Sequence, residues 1–201
     1  MWNTPNLLTL LRILLIPVFV AVFYVPLSWA RVACALVFGA AALTDWLDGY
    51  LARRWQQTSP LGAFLDPVAD KLMVAIALVL LVQADPRAAL ALPAAVIVGR
   101  EITVSALREW MAELGARSRV AVSMGGKFKT TTQMVAIFLL VLRDSLLGVP
   151  VYGVGMVLLY IAAALTLWSM MRYLRAAWPS LTAPAPPITS GHKGNGAASK
   201  G

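Results

Sequence analysis

The chain has 201 residues, 60% of them hydrophobic, and a mean hydropathy of +0.76. A soluble domain of this length has too little interior to bury so much apolar surface, so the composition predicts one integral membrane domain. The single cysteine excludes a disulfide framework, and the single histidine, which lies in a polar tail, disfavours a catalytic triad. The net charge is +8, but the chain has no basic and aromatic surface of the kind that binds nucleic acid, so nucleic-acid binding is disfavoured.

Six apolar stretches follow one another along the chain. A membrane-spanning helix needs about 20 apolar residues. The stretches are residues 7–25, 32–50, 61–81, 89–106, 130–142 and 151–171. The fifth is short, so we expect the turns before it to extend the helix. The fold class is therefore predicted to be all-α, with six transmembrane helices.

The basic residues predict the orientation of these helices. With the N-terminus inside, the cytoplasmic segments carry Arg53, Arg54, Arg108, Arg117, Arg119, Lys127, Lys129, Arg172, Arg175, Lys193 and Lys200. The opposite side carries Arg31, Arg87 and Arg143. Because cytoplasmic loops are enriched in Lys and Arg, both termini are predicted to be cytoplasmic.

The last residues differ from the rest of the chain. From residue 179 the sequence is rich in Pro, Gly and Ser and has no apolar periodicity. Such a composition cannot form a packed core, so it predicts a disordered cytoplasmic tail at 179–201 that follows a membrane domain at 1–178.

Four of the nine acidic residues lie within 26 positions: Asp45, Asp48, Asp66 and Asp70. In a helix, positions 45, 48, 49, 52 and 53 share one face, and so do positions 62, 66 and 70. Ser59-Pro60 interrupts the chain between them, so the second and third helices can face each other. Carboxylates in such number near lipid need a hard divalent cation, which predicts a cytoplasm-facing Mg²⁺ or Mn²⁺ site between these helices.

Two residues near this site have alternative interpretations. Asp66 precedes Pro67, and an Asp-Pro pair is also typical of the start of a helix, where the aspartate is only a cap. Arg12 lies in the first apolar stretch, and its side chain either extends to the membrane interface or faces the metal site.

The acidic pattern, Asp-x-x-Asp-Gly-x-x-Ala-Arg, eight residues, then Gly-x-x-x-Asp-x-x-x-Asp, resembles the signature of the CDP-alcohol phosphatidyltransferases, and every fixed position is filled. The segments 6–12, 100–101 and 126–130 resemble the bacterial branch that makes phosphatidylglycerophosphate. The likeness runs from about residue 6 to about residue 175. It implies a bacterial inner-membrane enzyme with a cytoplasmic active site, and it implies a homodimer.

The residues and the resemblance together suggest a role for each acid. Asp45, Asp48 and Asp66 are expected to ligate metal, and two ions about 3.5–4 Å apart would stabilise both sides of a displacement at phosphorus. Asp70 is expected to ligate metal, to deprotonate the attacking hydroxyl, or to do both; the resemblance favours the base.

The same helix faces are expected to bind CDP-diacylglycerol. Gly49 and Ala52 leave room for a flat base and ribose, which is where the family binds its CDP group, although small residues also serve plain helix packing. Arg53 suits a diphosphate oxygen. Gly62, which opens the second half of the signature, is assigned to the same site.

An acceptor that carries a phosphate needs a cationic pocket. The candidates are Arg100, Arg108, Lys127 and Lys129, for which anchoring at the cytoplasmic interface is an equal explanation. Arg100 is favoured because its neighbours place it deeper in the membrane. The resemblance implies transfer of the phosphatidyl group of CDP-diacylglycerol to sn-glycerol 3-phosphate, with release of CMP.

Two alternative functions remain open. One is the same reaction with serine, inositol or phosphatidylglycerol as the acceptor, which the signature does not distinguish. The other is a divalent-cation transporter. Transport sites usually lie at broken helices near the bilayer centre, whereas these acids lie at a cytoplasmic helix end, which disfavours transport.

Overall fold

The computed structural model describes residues 4–55, 60–113, 125–143 and 150–181, with side chains except at 4–6, 48–55, 60–61, 63, 113, 125–127 and 179–181. These ranges form six α-helices: α1 (Thr4–Phe23), α2 (Ala30–Trp55), α3 (Pro60–Ala84), α4 (Ala88–Glu113), α5 (Gly125–Leu142) and α6 (Val151–Leu181). The described ranges contain no strand. The all-α prediction is therefore confirmed.

Five of the six predicted apolar stretches lie inside one helix each, whereas the first, 7–25, runs two residues past the end of α1 at Phe23. As expected, α5 begins before the apolar residues, at Gly125. Helix α6 continues to Leu181, and residues 182–201 are outside the described part of the chain. The disorder predicted for the tail stays a prediction.

Helix α3 begins at Pro60, where proline is favourable because the first helical N–H has no intrahelical partner. The helix continues through Pro67, so Asp66 lies inside it. The alternative interpretation of Asp66 as a helix cap is therefore wrong. Membrane helices tolerate an internal proline because neighbouring groups can satisfy the backbone that it leaves unpaired.

The helices pack into a bundle in which α5 lies against α6 and α2, α4 lies against α6, and α1 lies against α2 and α3. Small residues permit the closest approaches. A Cβ atom on Gly39 would lie 3.3 Å from the Phe138 ring, and one on Gly155 would lie 3.0 Å from Leu140 Cγ. The largest core side chains are Phe19, Phe38, Leu78, Leu90, Ile97, Met111, Ile137, Leu140 and Leu159.

The outer surface of the bundle is apolar. Large side chains such as Leu14, Leu36, Leu92 and Val157 are exposed. Within the described ranges, three helical segments are long and apolar enough to cross a membrane: Ala30–Leu47, Ala88–Ala112 and Val151–Trp178. Two shorter apolar segments are Leu7–Phe23 and Phe128–Leu142. Exposed apolar helices of these lengths are those of an integral membrane protein.

A polar cluster joins the α3–α4 turn to the start of α6. Arg87 binds the buried Asp85 through two hydrogen bonds of 2.7 and 2.6 Å, and the Tyr152 hydroxyl donates a third to Asp85. The bonds from Arg87, and then that from Tyr152, hold the pKa of Asp85 well below its usual range. Asp85 lies 15 residues beyond Asp70, about 22 Å along a helix, so this cluster marks the other end of the bundle.

Candidate active site

A cavity of about 300 Å³ lies among α2, α3, α4 and α5. Asp45 comes to it from α2, and Asp66 and Asp70 come from α3, one helical turn apart. Its other charged and polar lining residues are Lys71, Glu101, Thr130 and Gln133. Three of the four aspartates that the sequence singled out thus line one cavity.

Helix α1 closes the acidic side of this cavity. Nη1 of Arg12 donates to Oδ1 of Asp70 and lies 3.3 Å from Oδ1 of Asp45. One turn earlier, Oγ1 of Thr9 donates to Oδ1 of Asp66. Both α1 side chains are 1% exposed. Arg12 therefore faces the aspartates, which decides between its two interpretations.

The chemistry of the donors fits a divalent cation, because carboxylate oxygens from two helices are the ligands that Mg²⁺ and Mn²⁺ prefer. Among the described side chains, however, no three Asp, Glu, His or Cys residues approach closely enough to share one ion. The side chain of Asp48 is outside the described set. Convergence of all four carboxylates on metal stays a prediction.

The predicted CDP-diacylglycerol face is described only in part. The backbone of α2 stays helical through positions 49, 52 and 53, but the side chains of Ala52 and Arg53 and the surroundings of Gly49 lie outside the described residues. Gly62 is buried in the first turn of α3. The continuous helix is what places positions 45, 49, 52 and 53 on one face, as the spacing requires.

Arg100 and Lys129 converge on Glu101 beside the cavity. Nη1 of Arg100 donates to Oε1 of Glu101, and Nζ of Lys129 lies 3.5 Å from the same oxygen. Arg100 is 8% exposed and Lys129 is 4% exposed. One carboxylate thus faces two buried cations from α4 and α5, which leaves a net positive charge at this edge of the acidic cavity.

Arg108 is oriented by α6 and not by Glu101. Its Nη2 donates to the Tyr173 hydroxyl over 3.2 Å, and its guanidinium lies 5.3 Å from the centre of the Tyr173 ring. It remains close enough to repel Lys129. Nε of Arg108 and Nε of Arg100 are buried, and neither has a hydrogen-bond partner among the described residues. The side chain of Lys127 lies outside the described set.

Sequence reasoning did not assign three of the residues around the cavity. Thr9 forms a pair with Arg12 at helical spacing inside an otherwise apolar helix, and that spacing was the available signal. Nζ of Lys71 donates to Oγ of Ser105 over 2.7 Å and so joins α3 to α4. Gln133 is a polar residue in the apolar part of α5. All three contribute polar groups where the bundle would otherwise be hydrocarbon.

The cavity combines two chemical environments. Its α2–α3 wall carries carboxylates that suit a metal-bound diphosphate, and the Arg100–Lys129 edge carries buried cations that suit a phosphate. The separation of the carboxylates from the cations matters because a carboxylate must accept a proton from the nucleophile while the cations hold that nucleophile in place. The arrangement suits transfer between two phosphate-bearing substrates.

The family model described as CDP-alcohol phosphatidyltransferase matches residues 2–168. Relatives named CDP-diacylglycerol–glycerol-3-phosphate 3-phosphatidyltransferase align over most of this chain. The one from Pectobacterium atrosepticum is 57% identical over 183 residues, covering 91% of this chain and 99% of its own. The one from Pseudomonas fluorescens is 58% identical over 89% of this chain and 92% of its own. The one from Escherichia coli K12 is 57% identical over 88% of this chain and 95% of its own.

Proposed function

The chain belongs to the CDP-alcohol phosphatidyltransferase family, and from this premise we propose that it transfers the phosphatidyl group of CDP-diacylglycerol to sn-glycerol 3-phosphate. The products are phosphatidylglycerophosphate and CMP, which makes the chain an enzyme of phospholipid biosynthesis. The observation that carries the proposal is the position of buried cations, Arg100 and Lys129, at the edge of a cavity lined by Asp45, Asp66 and Asp70.

Asp45, Asp48, Asp66 and Asp70 would hold Mg²⁺ or Mn²⁺, as two ions. When bound, the metal polarises the diphosphate of the donor and screens the charge of the leaving CMP. Arg12 supports this wall from behind, because it contacts two of the four acids from a buried position. The acyl chains of the donor lie in lipid, and Gly49, Ala52, Arg53 and Gly62 accommodate its CDP group.

Asp70 accepts the proton of the acceptor hydroxyl. The hydroxyl oxygen then forms a bond to the phosphorus that bears diacylglycerol, and the bond from that phosphorus to the CMP oxygen breaks. CMP carries away the electron pair. The hydrogen bond from Arg12 fixes the orientation of the Asp70 carboxylate.

Arg100, Arg108, Lys127 and Lys129 bind the phosphate of the acceptor. Buried cations attract an anion strongly because water screens them poorly. The buried Nε atoms of Arg100 and Arg108 support this role, since an unsatisfied buried donor is costly unless a ligand pairs with it. An acceptor without an anionic group, such as inositol, would leave these donors unused.

We propose that all six helices span the bacterial inner membrane with both termini and the acidic cavity on the cytoplasmic side. The support is the concentration of Lys and Arg at that end of the bundle, together with the exposed apolar surface. Assembly as a homodimer belongs to the same proposal, from family resemblance. Cross-linking in native membranes tests it, and a cross-linked species of twice the chain mass is expected.

The helices that carry the acids argue against a cation transporter. Helix α2 runs without interruption past Asp45, and α3 runs past Asp66 and Asp70. Many secondary transporters hold their ions at unwound helix segments. The continuous helices instead present the acids to a cavity between elements.

An assay of the detergent-solubilised chain with CDP-diacylglycerol and a panel of acceptors tests the proposal. The panel is glycerol 3-phosphate, serine, inositol and phosphatidylglycerol, and CMP release is the readout. We expect glycerol 3-phosphate to give the fastest release. Faster release with any other acceptor would overturn the acceptor assignment but not the reaction type, and no release with any of the four would overturn both.

A further inference from the structure

Gln133 of α5 is a buried polar residue on the wall of the acidic cavity. Its side chain is 4% exposed and lines the acidic cavity. No hydrogen bond joins its amide to another described residue. The amide atoms are not among the fully buried polar atoms that lack a partner, so they reach the cavity, where a ligand or water can complete their hydrogen bonds. Gln133 therefore indicates a ligand group in this cavity.

The surroundings of Gln133 suggest which ligand supplies that group. Gln133 follows Lys129 by four positions in α5, so the two side chains share one helix face about 5–6 Å apart. Lys129 contacts Glu101 beside Arg100, and Asp70 lines the same cavity as Gln133. Gln133 thus shares a cavity with the proposed base and a helix face with one of the proposed phosphate-binding cations.

We propose that the Gln133 amide binds the C2 hydroxyl of glycerol 3-phosphate and thereby selects an acceptor with a hydroxyl beside the one that reacts. The proposal rests on the proposed function. In this acceptor the phosphate, the C2 hydroxyl and the reacting hydroxyl occupy adjacent carbons, in the order of Lys129, Gln133 and Asp70. An amide both donates and accepts, as a hydroxyl does, whereas a cation suits a phosphate and a carboxylate suits a metal.

The test compares two acceptors on two forms of the enzyme. 3-Hydroxypropyl phosphate lacks only the C2 hydroxyl, and Gln133→Met keeps the length of the side chain but removes its polar atoms. A site built around a substrate hydroxyl rejects an analogue that lacks it, so we expect wild type to favour glycerol 3-phosphate by roughly tenfold to a hundredfold in kcat/KM. In Gln133→Met this preference should fall to about one, because only the reaction of glycerol 3-phosphate slows.

Two controls accompany the comparison. The hydroxyl of Thr132 is bonded to the carbonyl oxygen of Phe128 in its own helix, so Thr132→Val should keep the wild-type preference. The activity of Gln133→Met with 3-hydroxypropyl phosphate, and an unchanged KM for CDP-diacylglycerol, show that the variant is folded.

The outcomes separate this inference from the proposed function. If wild type released no CMP with glycerol 3-phosphate, the proposed function would fail. If wild type used glycerol 3-phosphate without preferring it to the analogue, the role of Gln133 would be refuted. An unchanged preference in Gln133→Met, or an equal loss with both acceptors, would refute it as well.

Discussion

Arg12 of α1 and Asp70 of α3 are joined across 58 positions of sequence by a hydrogen-bonded ion pair from Nη1 to Oδ1. The same nitrogen lies 3.3 Å from Oδ1 of Asp45. One buried guanidinium therefore contacts acids from two different helices. This contact keeps two like charges of α2 and α3 close together at the wall where the proposed metals and base lie.

Replacement of Arg12 should reduce turnover more than it reduces binding. Arg12→Lys keeps the charge but replaces the rigid planar guanidinium with a flexible ammonium group, so kcat should fall by about tenfold or more, which is ~1.4 kcal/mol. Arg12→Met should reduce kcat further. CMP release gives both values, and Arg175→Lys, at an exposed position of α6, is the control. A wild-type kcat in Arg12→Met would show that the ion pair has no part in the reaction.

Removal of one acid from the proposed metal site should abolish activity. Asp45→Asn and Asp66→Asn each lose one carboxylate charge from the cavity wall, and a lost ligand costs several kcal/mol of barrier, hence many powers of ten in rate. EDTA should inactivate wild type, and added Mg²⁺ or Mn²⁺ should restore it. As a control for folding, each variant should elute from a chromatography column as folded protein, as wild type does. More than about a tenth of wild-type activity in either variant would remove that residue from the ligand set.

Arg100→Ala should weaken binding of the acceptor selectively. We expect the KM for glycerol 3-phosphate to rise by about tenfold or more, or ~1.4 kcal/mol, because a buried charge-assisted contact with the phosphate is lost. The KM for CDP-diacylglycerol should change little. Arg108→Ala and Lys127→Ala should give the same asymmetry more weakly, whereas Arg175→Ala should give none. Equal increases in both KM values would point to a structural role for Arg100.

Reporter fusions should locate the ends of the helices relative to the membrane. Fusions at Gln57 and after Trp178 should report the cytoplasmic side, and a fusion at Asp85 should report the opposite side, because the basic residues concentrate at the first two positions. Paired cytoplasmic and periplasmic reporters at each site provide the internal control. A cytoplasmic signal at Asp85 would contradict the arrangement of six spans.

Protonation of Asp85 should lower the stability of the fold at the end of the bundle opposite the acidic cavity. Its pKa is lower in the folded chain than in the unfolded chain, where it is about 3.9, so the unfolded chain binds more protons. The stabilisation is therefore present above about pH 4 and is lost as the pH falls towards the folded pKa. Thermal unfolding in detergent between pH 7 and pH 3 measures it.

Asp85→Asn is the matched variant for that experiment. It should lower the Tm at pH 7 and flatten the acid-side decline of the Tm, and Tyr152→Phe, which removes one of the three hydrogen bonds, should lower the Tm less. Identical pH slopes for wild type and Asp85→Asn would rule out a contribution from this carboxylate.

The sequence predicted the helices well because the apolar runs are long and interrupted by proline and charged turns. The stretch 89–106 lies in α4 (Ala88–Glu113), and 151–171 lies in α6 (Val151–Leu181). The sequence also placed Asp66 and Asp70 on one face of α3, because helical periodicity puts residues four apart on the same face. These predictions depend on local geometry and on the cost of polar groups in lipid, both of which can be read from a single segment.

Only the tertiary structure decided which side chains meet across helices. The sequence did not decide whether Arg12 extends to the membrane interface or faces the acids. It also predicted no partner for Arg108, which binds Tyr173 of α6. It also gave no reason to single out Gln133. Periodicity defines the face of a helix, but the rotation of that face and the choice of its neighbour depend on how all six helices pack at once, through close contacts such as that of Gly39 with Phe138.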